Sequence, residues 1–175
     1  MSPGVGVYTN TMSDLHRRAS NALRRTDSTV ATAESCTDGR VAYLLTRTPG
    51  ASDYFETAFV TYTYDSKTRH LGIDRETLDR HGAVSEEVAA EMAKAARDRA
   101  ATTWGVSTTG YAGPTGGDDE DPVGTAYVGV SYAGDWGSEG SYTVVERIEC
   151  DGDRDENRDC IARKAVELLS YEIDD

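Results

Sequence analysis

What most constrains this chain is an alternation. Short runs of β-branched and small residues are separated by amphipathic segments, and the pattern then changes to two strands in succession. "STVATA" (28–33), "ETAFVTY" (56–62) and "GVSTTG" (105–110) read as strands. Ahead of the first, Leu15, Ala19, Ala22 and Leu23 share one face of a helix over 14–25, with Ser13 at its N-cap. Val41, Leu44 and Leu45 mark a second helix that stops before Pro49. Short helical pieces follow around "SKTRHLG" and from Asp74 to Gly82. The plainest helix is "SEEVAAEMAKAARDRAATT" (85–103), where Ser85 is the cap, Glu86 and Glu87 occupy the first turn, and Val88, Met92 and Ala96 recur every four residues. "TAYVGVSYA" and "SYTVVERIE" then alternate like two strands joined by "GDWGSEG", and a last helix from Arg154 to Tyr171 turns Ile161, Ala165, Leu168 and Leu169 inward. This order predicts an α/β domain: a three-layer α/β/α sandwich whose mixed sheet is mostly parallel with an antiparallel member. A length of 175 residues suits a single domain over 13–175 behind a loose tail, 1–12.

Charge narrows the function classes. With 31 acidic against 18 basic residues the formal net charge is −13, and the only basic pairs, Arg17–Arg18 and Arg24–Arg25, lie on one predicted helix. Such a field repels nucleic acid. The only lysines are Lys67, Lys94 and Lys164, and a lysine-poor acidic surface resembles proteins of salt-accumulating halophiles, in which dense carboxylates keep a protein hydrated under strong screening. No apolar run reaches the roughly 18 residues of a membrane span, and the N-terminus lacks a signal-peptide pattern, so a cytoplasmic protein without membrane contact is expected. Cys36, Cys150 and Cys160 are odd in number and widely spaced, which suggests neither a disulfide framework nor a zinc site. His16, His70 and His81 read as surface or turn residues, and no metal is expected.

Three unusual segments follow predicted strands, where ligands settle in open α/β sheets: "AESCTDG", "TYTYDSK" and "TGYAGPTGG". Ser35, at a strand-to-helix turn, is either a helix cap or a nucleophile with backbone N–H groups nearby. Cys36 has no basic neighbour in sequence and reads as a small buried residue. Lys67 is either solvated or, crowded against apolar groups and Tyr62, a base for the serine. "GYAGPTGGDDEDPVG" matches no nucleotide-binding fingerprint; its N–H groups either cradle a phosphate or carbonyl or merely turn a corner. Arg154 and Arg158 can pair with a phosphate or with surface acids.

Taken in order, "TVATAESCTDG", "FETAFVTYTYDSKTRHLGI", "HGAVSEEVAAEMA", "TTGYAGPTGG", "DPVGTAYVGV" and "GDRDENR" resemble the CinA C-terminal domain family, the nicotinamide-nucleotide amidohydrolases, over about 14–170. The likeness is to the stand-alone form, without the molybdopterin-binding-like domain that precedes it elsewhere. It implies hydrolysis of the carboxamide of nicotinamide mononucleotide to nicotinate mononucleotide and ammonia, with no cofactor. The family's nucleophilic serine falls on Ser35, and its supporting tyrosine and lysine fall on Tyr62 and Lys67, with Lys67 expected to deprotonate Ser35 assisted by Tyr62. Expected against substrate are Glu34, Thr37 and Gly39 of the serine turn, Thr109, Gly110, Ala112, Gly113 and Gly116 around the glycine-rich loop, and Arg154; Thr109 would meet substrate or the oxyanion. The partner expected is this small molecule, with room for a homo-oligomer. Two departures bear on substrate: Asp38 stands where the family usually has glycine, and Thr63–Tyr64 replace its Ser-Asn. They keep open a serine amidase acting on another small amide. A non-catalytic binding module tied to competence or damage responses is the reading from another class.

Overall fold

The computed structural model describes residues 12–175, the side chains of Met12 and Ser13 excepted; residues 1–11 of the expected tail lie outside the described residues. In chain order the elements are α1 (Met12–Arg25), β1 (Val30–Glu34), α2 (Arg40–Thr46), a 3-10 turn (Ala51–Asp53), β2 (Phe55–Val60), α3 (Tyr64–Ser66) running into a π-helical turn (Lys67–Leu71), α4 (Arg75–His81), α5 (Glu86–Ala100), β3 (Trp104–Gly110), β4 (Thr125–Tyr132), β5 (Tyr142–Glu149) and α6 (Arg154–Asp174). The strands form a five-stranded sheet in the order β2-β1-β3-β4-β5. β1 pairs in parallel with both β2 and β3, whereas β4 is antiparallel to β3 and to β5, so β4 alone is reversed. The three-layer mixed sheet expected from the sequence is the fold observed.

Period-two alternation divides the core between the faces. Val30, Val106, Val128 and Val130 pack beneath α1, α2 and α6 with Leu23, Leu45, Ile161 and Leu169, while Ala31 and Ala33 face α4 and α5 with Leu78, Val88 and Met92. The second face is built for close approach: a Cβ on Gly105 would lie 2.0 Å from the Ala93 carbonyl of α5. α5 is capped by Ser85, whose hydroxyl accepts from the Val88 N–H at 3.3 Å. α1 starts two residues earlier than read, with Ser13 inside it, and α6 runs on past Tyr171 to Asp174.

Two expectations are corrected. Cys150 and Cys160 form a disulfide, ten residues apart in sequence, because the chain leaving β5 turns back into α6 and brings their Cα atoms to 6.4 Å. No spacing motif announces that return. His16, read as a surface or turn residue, is buried on α1.

Candidate active site

β1 ends on Glu34, whose side chain is fully buried and whose carboxylate organises the turn that follows. It accepts from the N–H groups of Gly39 (3.0 Å), Val41 (3.0 Å) and Ala42 (2.8 Å) and from the hydroxyls of Thr37 (2.7 Å) and Thr32 (3.2 Å). A buried anion at the start of α2 thereby satisfies donors that the helix itself leaves unpaired. Gly39, at φ 101°, supplies the left-handed residue that closes the turn. Thr37, fully buried, also bonds the Thr108 hydroxyl at 2.7 Å. Glu34, Thr37 and Gly39, expected against substrate, thus form the frame behind the serine and do not line the pocket.

Ser35 is fixed by its N–H, which donates to the Thr108 carbonyl of β3 at 3.1 Å. From the π-helical turn, Lys67 reaches the same spot: its Nζ donates to Ser35 Oγ at 2.9 Å and to the Thr61 carbonyl at 2.7 Å. Lys67 is only 1 % exposed, and burial lowers its pKa to about 8. The neighbouring Cys36 thiol is pushed up to about 12, chiefly by burial, so it stays protonated near neutral pH. The expected serine and lysine are brought together, with the lysine close to its own neutral form.

A pocket of about 210 Å³ opens over this pair. Cys36, Tyr62, Ala83, Val84, Thr109, Gly110, Tyr111, Ala112, Gly113, Thr115 and Arg154 complete its wall. Thr109 does line it, but its hydroxyl donates to the Ala83 carbonyl at 2.6 Å and ties β3 to the segment before α5. The Tyr62 hydroxyl is bonded to neither Ser35 nor Lys67; it accepts from Arg154 Nη2 at 2.9 Å and Arg158 Nη2 at 3.2 Å. α6 also pins the glycine-rich loop, through Arg154 Nη1 to the Gly113 carbonyl and through buried Asn157 to the Ala112 carbonyl at 3.0 Å. Gly116 lies outside the pocket wall, against the Tyr111 ring. Gly110 faces Ala126 so closely that a Cβ there would lie 2.5 Å from the alanine Cβ.

Sequence reasoning missed Thr61, Thr108, Ala83 and Asn157. Thr61 and Ala83 contribute only backbone carbonyls, and Thr108 a carbonyl and a hydroxyl bonded to the buried Thr37, contacts that no residue type advertises. Asn157 stands inside the "GDRDENR" block and was the one legible signal. A larger hollow of about 510 Å³ between α1, α6 and β5 contains no serine, cysteine or histidine. Among the described residues no cluster of three or more His, Cys, Asp or Glu is placed to hold a metal ion, and no helix is long and apolar enough to cross a membrane.

Residues 12–173 match the family model described as the CinA C-terminal domain. The chain belongs to the CinA C-terminal domain family. A CinA-like protein of Myxococcus xanthus is 46% identical over 151 residues, 86% of this chain and 34% of that protein. Another, from Salinibacter ruber, is 44% identical over 147 residues, 84% of this chain and 34% of its own length. The chain therefore spans about a third of these curated relatives. Among solved structures, the competence/damage inducible protein CihA from Agrobacterium tumefaciens is 34% identical, with a TM-score of 0.85 and complete coverage of both chains. The competence damage-inducible protein A of Klebsiella pneumoniae superposes with a TM-score of 0.87 at 30% identity over 94% of this chain and 98% of that one. The CinA fold is thus shared along nearly the whole of the described chain.

Proposed function

We propose that this chain hydrolyses the carboxamide of nicotinamide mononucleotide, giving nicotinate mononucleotide and ammonia. The observation that carries the reading is the 2.9 Å bond from Lys67 Nζ to Ser35 Oγ in a pocket that also presents Arg154. Neutral Lys67 takes the serine proton as Oγ adds to the amide carbon. In this reading the Cys36 N–H, next after the nucleophile, serves as one donor to the oxyanion that forms. Collapse of the tetrahedral adduct breaks the C–N bond, and the proton held by Lys67 goes to the leaving nitrogen, which departs as ammonia. Water, deprotonated by the same lysine, then adds to the acyl carbon; the ester bond to Ser35 breaks, Lys67 returns the proton to Ser35 Oγ, and the carboxylic acid is released. Tyr62 belongs with the arginines at the substrate's anionic end instead of relaying the lysine's proton.

Arg154 supports the choice of an anionic amide, because no described carboxylate forms an ion pair with it although the chain carries a net charge of −13. The Asp38 carboxylate nearby favours a second reading, the same serine amidase acting on an uncharged small amide. The deciding experiment follows ammonia release from nicotinamide mononucleotide in molar-range KCl, with the native chain, Ser35→Ala and Lys67→Ala. Turnover by the native chain alone supports the proposal. A folded native chain that releases nothing removes this substrate, and activity retained by Ser35→Ala removes the mechanism.

A further inference from the structure

Asp38 occupies the serine turn in a left-handed conformation, φ 47°, and both of its carboxylate oxygens are engaged by arginines. Oδ1 takes Arg40 Nη1, and Oδ2 lies 3.1 Å from Arg158 Nη1. Arg158 stands behind the pocket wall and reaches it through Tyr62: its side chain is 14% exposed and its other terminal nitrogen donates to the hydroxyl of that lining residue at 3.2 Å. That hydroxyl also takes Arg154, so two guanidinium groups converge on one point at the pocket rim. They are not equivalent. Arg154 has no carboxylate partner among the described ion pairs, whereas Arg158 has Asp38, with Asp155 more distant at 3.9 Å. Arg158 nevertheless keeps hydrogen-bonding capacity, since its Nε is buried with no acceptor.

We propose that Asp38 is a specificity-determining residue, an internal counter-anion that occupies Arg158 and thereby weakens the pocket's hold on phosphate-bearing amides relative to their phosphate-free nucleoside counterparts. A phosphate entering between the two arginines meets no competing carboxylate at Arg154 but must share Arg158 with one already in contact with it. Like charges so close repel, and the phosphate loses part of the bidentate contact a free guanidinium offers. Removing the charge while keeping the shape returns Arg158 to the ligand. The inference rests on the amidase reading for its kinetic form, but the competition for Arg158 can be read by binding alone.

The test compares native chain with Asp38→Asn, because asparagine tolerates left-handed backbone as aspartate does. At one fixed KCl concentration, KM and kcat are measured for nicotinamide mononucleotide and for nicotinamide riboside, which lacks the phosphate. Asp38→Asn is expected to lower KM for the nucleotide at least fivefold with kcat within twofold, and to leave KM for the riboside in place. Adding Arg158→Met should cancel the gain. An unchanged nucleotide KM, or an equal change for both amides, overturns the proposal; a merely structural role for Asp38 would move both. If the native chain hydrolyses neither amide, the amidase reading falls, and calorimetric titration with inorganic phosphate decides the counter-anion: binding at least fivefold tighter in Asp38→Asn supports it, equal affinity overturns it. Asp38→Gly, whose backbone suits the same φ, serves if the asparagine variant does not fold.

Discussion

The Glu34 carboxylate accepts the Ala42 N–H at 2.8 Å, and this bond, spanning eight residues, locks the strand before Ser35 to the helix after it. Removing the carboxylate strands the N–H groups of Gly39, Val41 and Ala42 in a buried turn. Glu34→Ala should therefore cost about 3–5 kcal/mol in urea unfolding, the range for loss of several charge-assisted bonds. Variant protein that remains folded should still lose most ammonia release, since Ser35 no longer faces Lys67. A loss below about 1 kcal/mol would show that the turn holds itself together without this anion.

The pH profile of the proposed reaction follows from Lys67. Burial lowers its pKa to about 8, and only its neutral form accepts the serine proton. Below that value kcat/KM should rise about tenfold per pH unit, and above it should level off. A profile flat from pH 6 to 9, on the order of three units across the transition, would remove Lys67 as the base.

The same burial makes the lysine a stability liability. Its pKa of about 8 lies below the ordinary value of 10.5, so between those two pH values the unfolded chain binds more protons and stability rises with pH. Below about 8 the penalty is complete, because both states are then protonated. Lys67→Met should accordingly abolish turnover yet stabilise the fold by about 1–3 kcal/mol at pH 7, allowing for the two hydrogen bonds given up. Its advantage over the native chain should shrink between pH 8 and 10.5, the span of the shift. Urea melts at pH 7 and pH 10 test both the sign and the trend.

What the sequence made legible was periodic or chemically distinctive. Strand β1, helix α5 and the inward face of α6 follow from spacing alone, and Ser35 and Lys67 stand out as a serine at a strand-to-helix turn and a lysine in a chain that has few. The illegible part is what depends on partners remote in sequence. Glu34 reads as a pocket acid because nothing local says that five donors will surround it. Tyr62 reads as the lysine's helper because it lies close in sequence, yet its hydroxyl is claimed by two arginines some 92 and 96 residues away. The disulfide belongs to the same class, set by where β5 delivers the chain and not by any motif.

That disulfide closes a segment carrying Arg154 and Asn157, the two residues that hold the glycine-rich loop at Gly113 and Ala112. Its contribution to stability, from the loop it closes in the unfolded chain, should be about 2–3 kcal/mol. Reduction should not unwind the start of α6, because Asp153 and Glu156 cap it reciprocally: Asp153 accepts the Glu156 N–H at 3.0 Å and Glu156 accepts the Asp153 N–H at 2.8 Å. What loosens is the helix's attachment to the end of β5, and with it the placing of Arg154 over the pocket. Cys150→Ala with Cys160→Ala should lower the unfolding midpoint and raise KM for an anionic amide severalfold. The effect on kcat should be smaller, since the Ser35–Lys67 bond is set by β1, β3 and the π-helical turn. Dithiothreitol should reproduce the effect in the native chain and in Cys36→Ala, which separates the bridge from the buried thiol beside the serine. If KM is unchanged in the double variant, Arg154 is held by its own hydrogen bonds and the disulfide serves the fold alone.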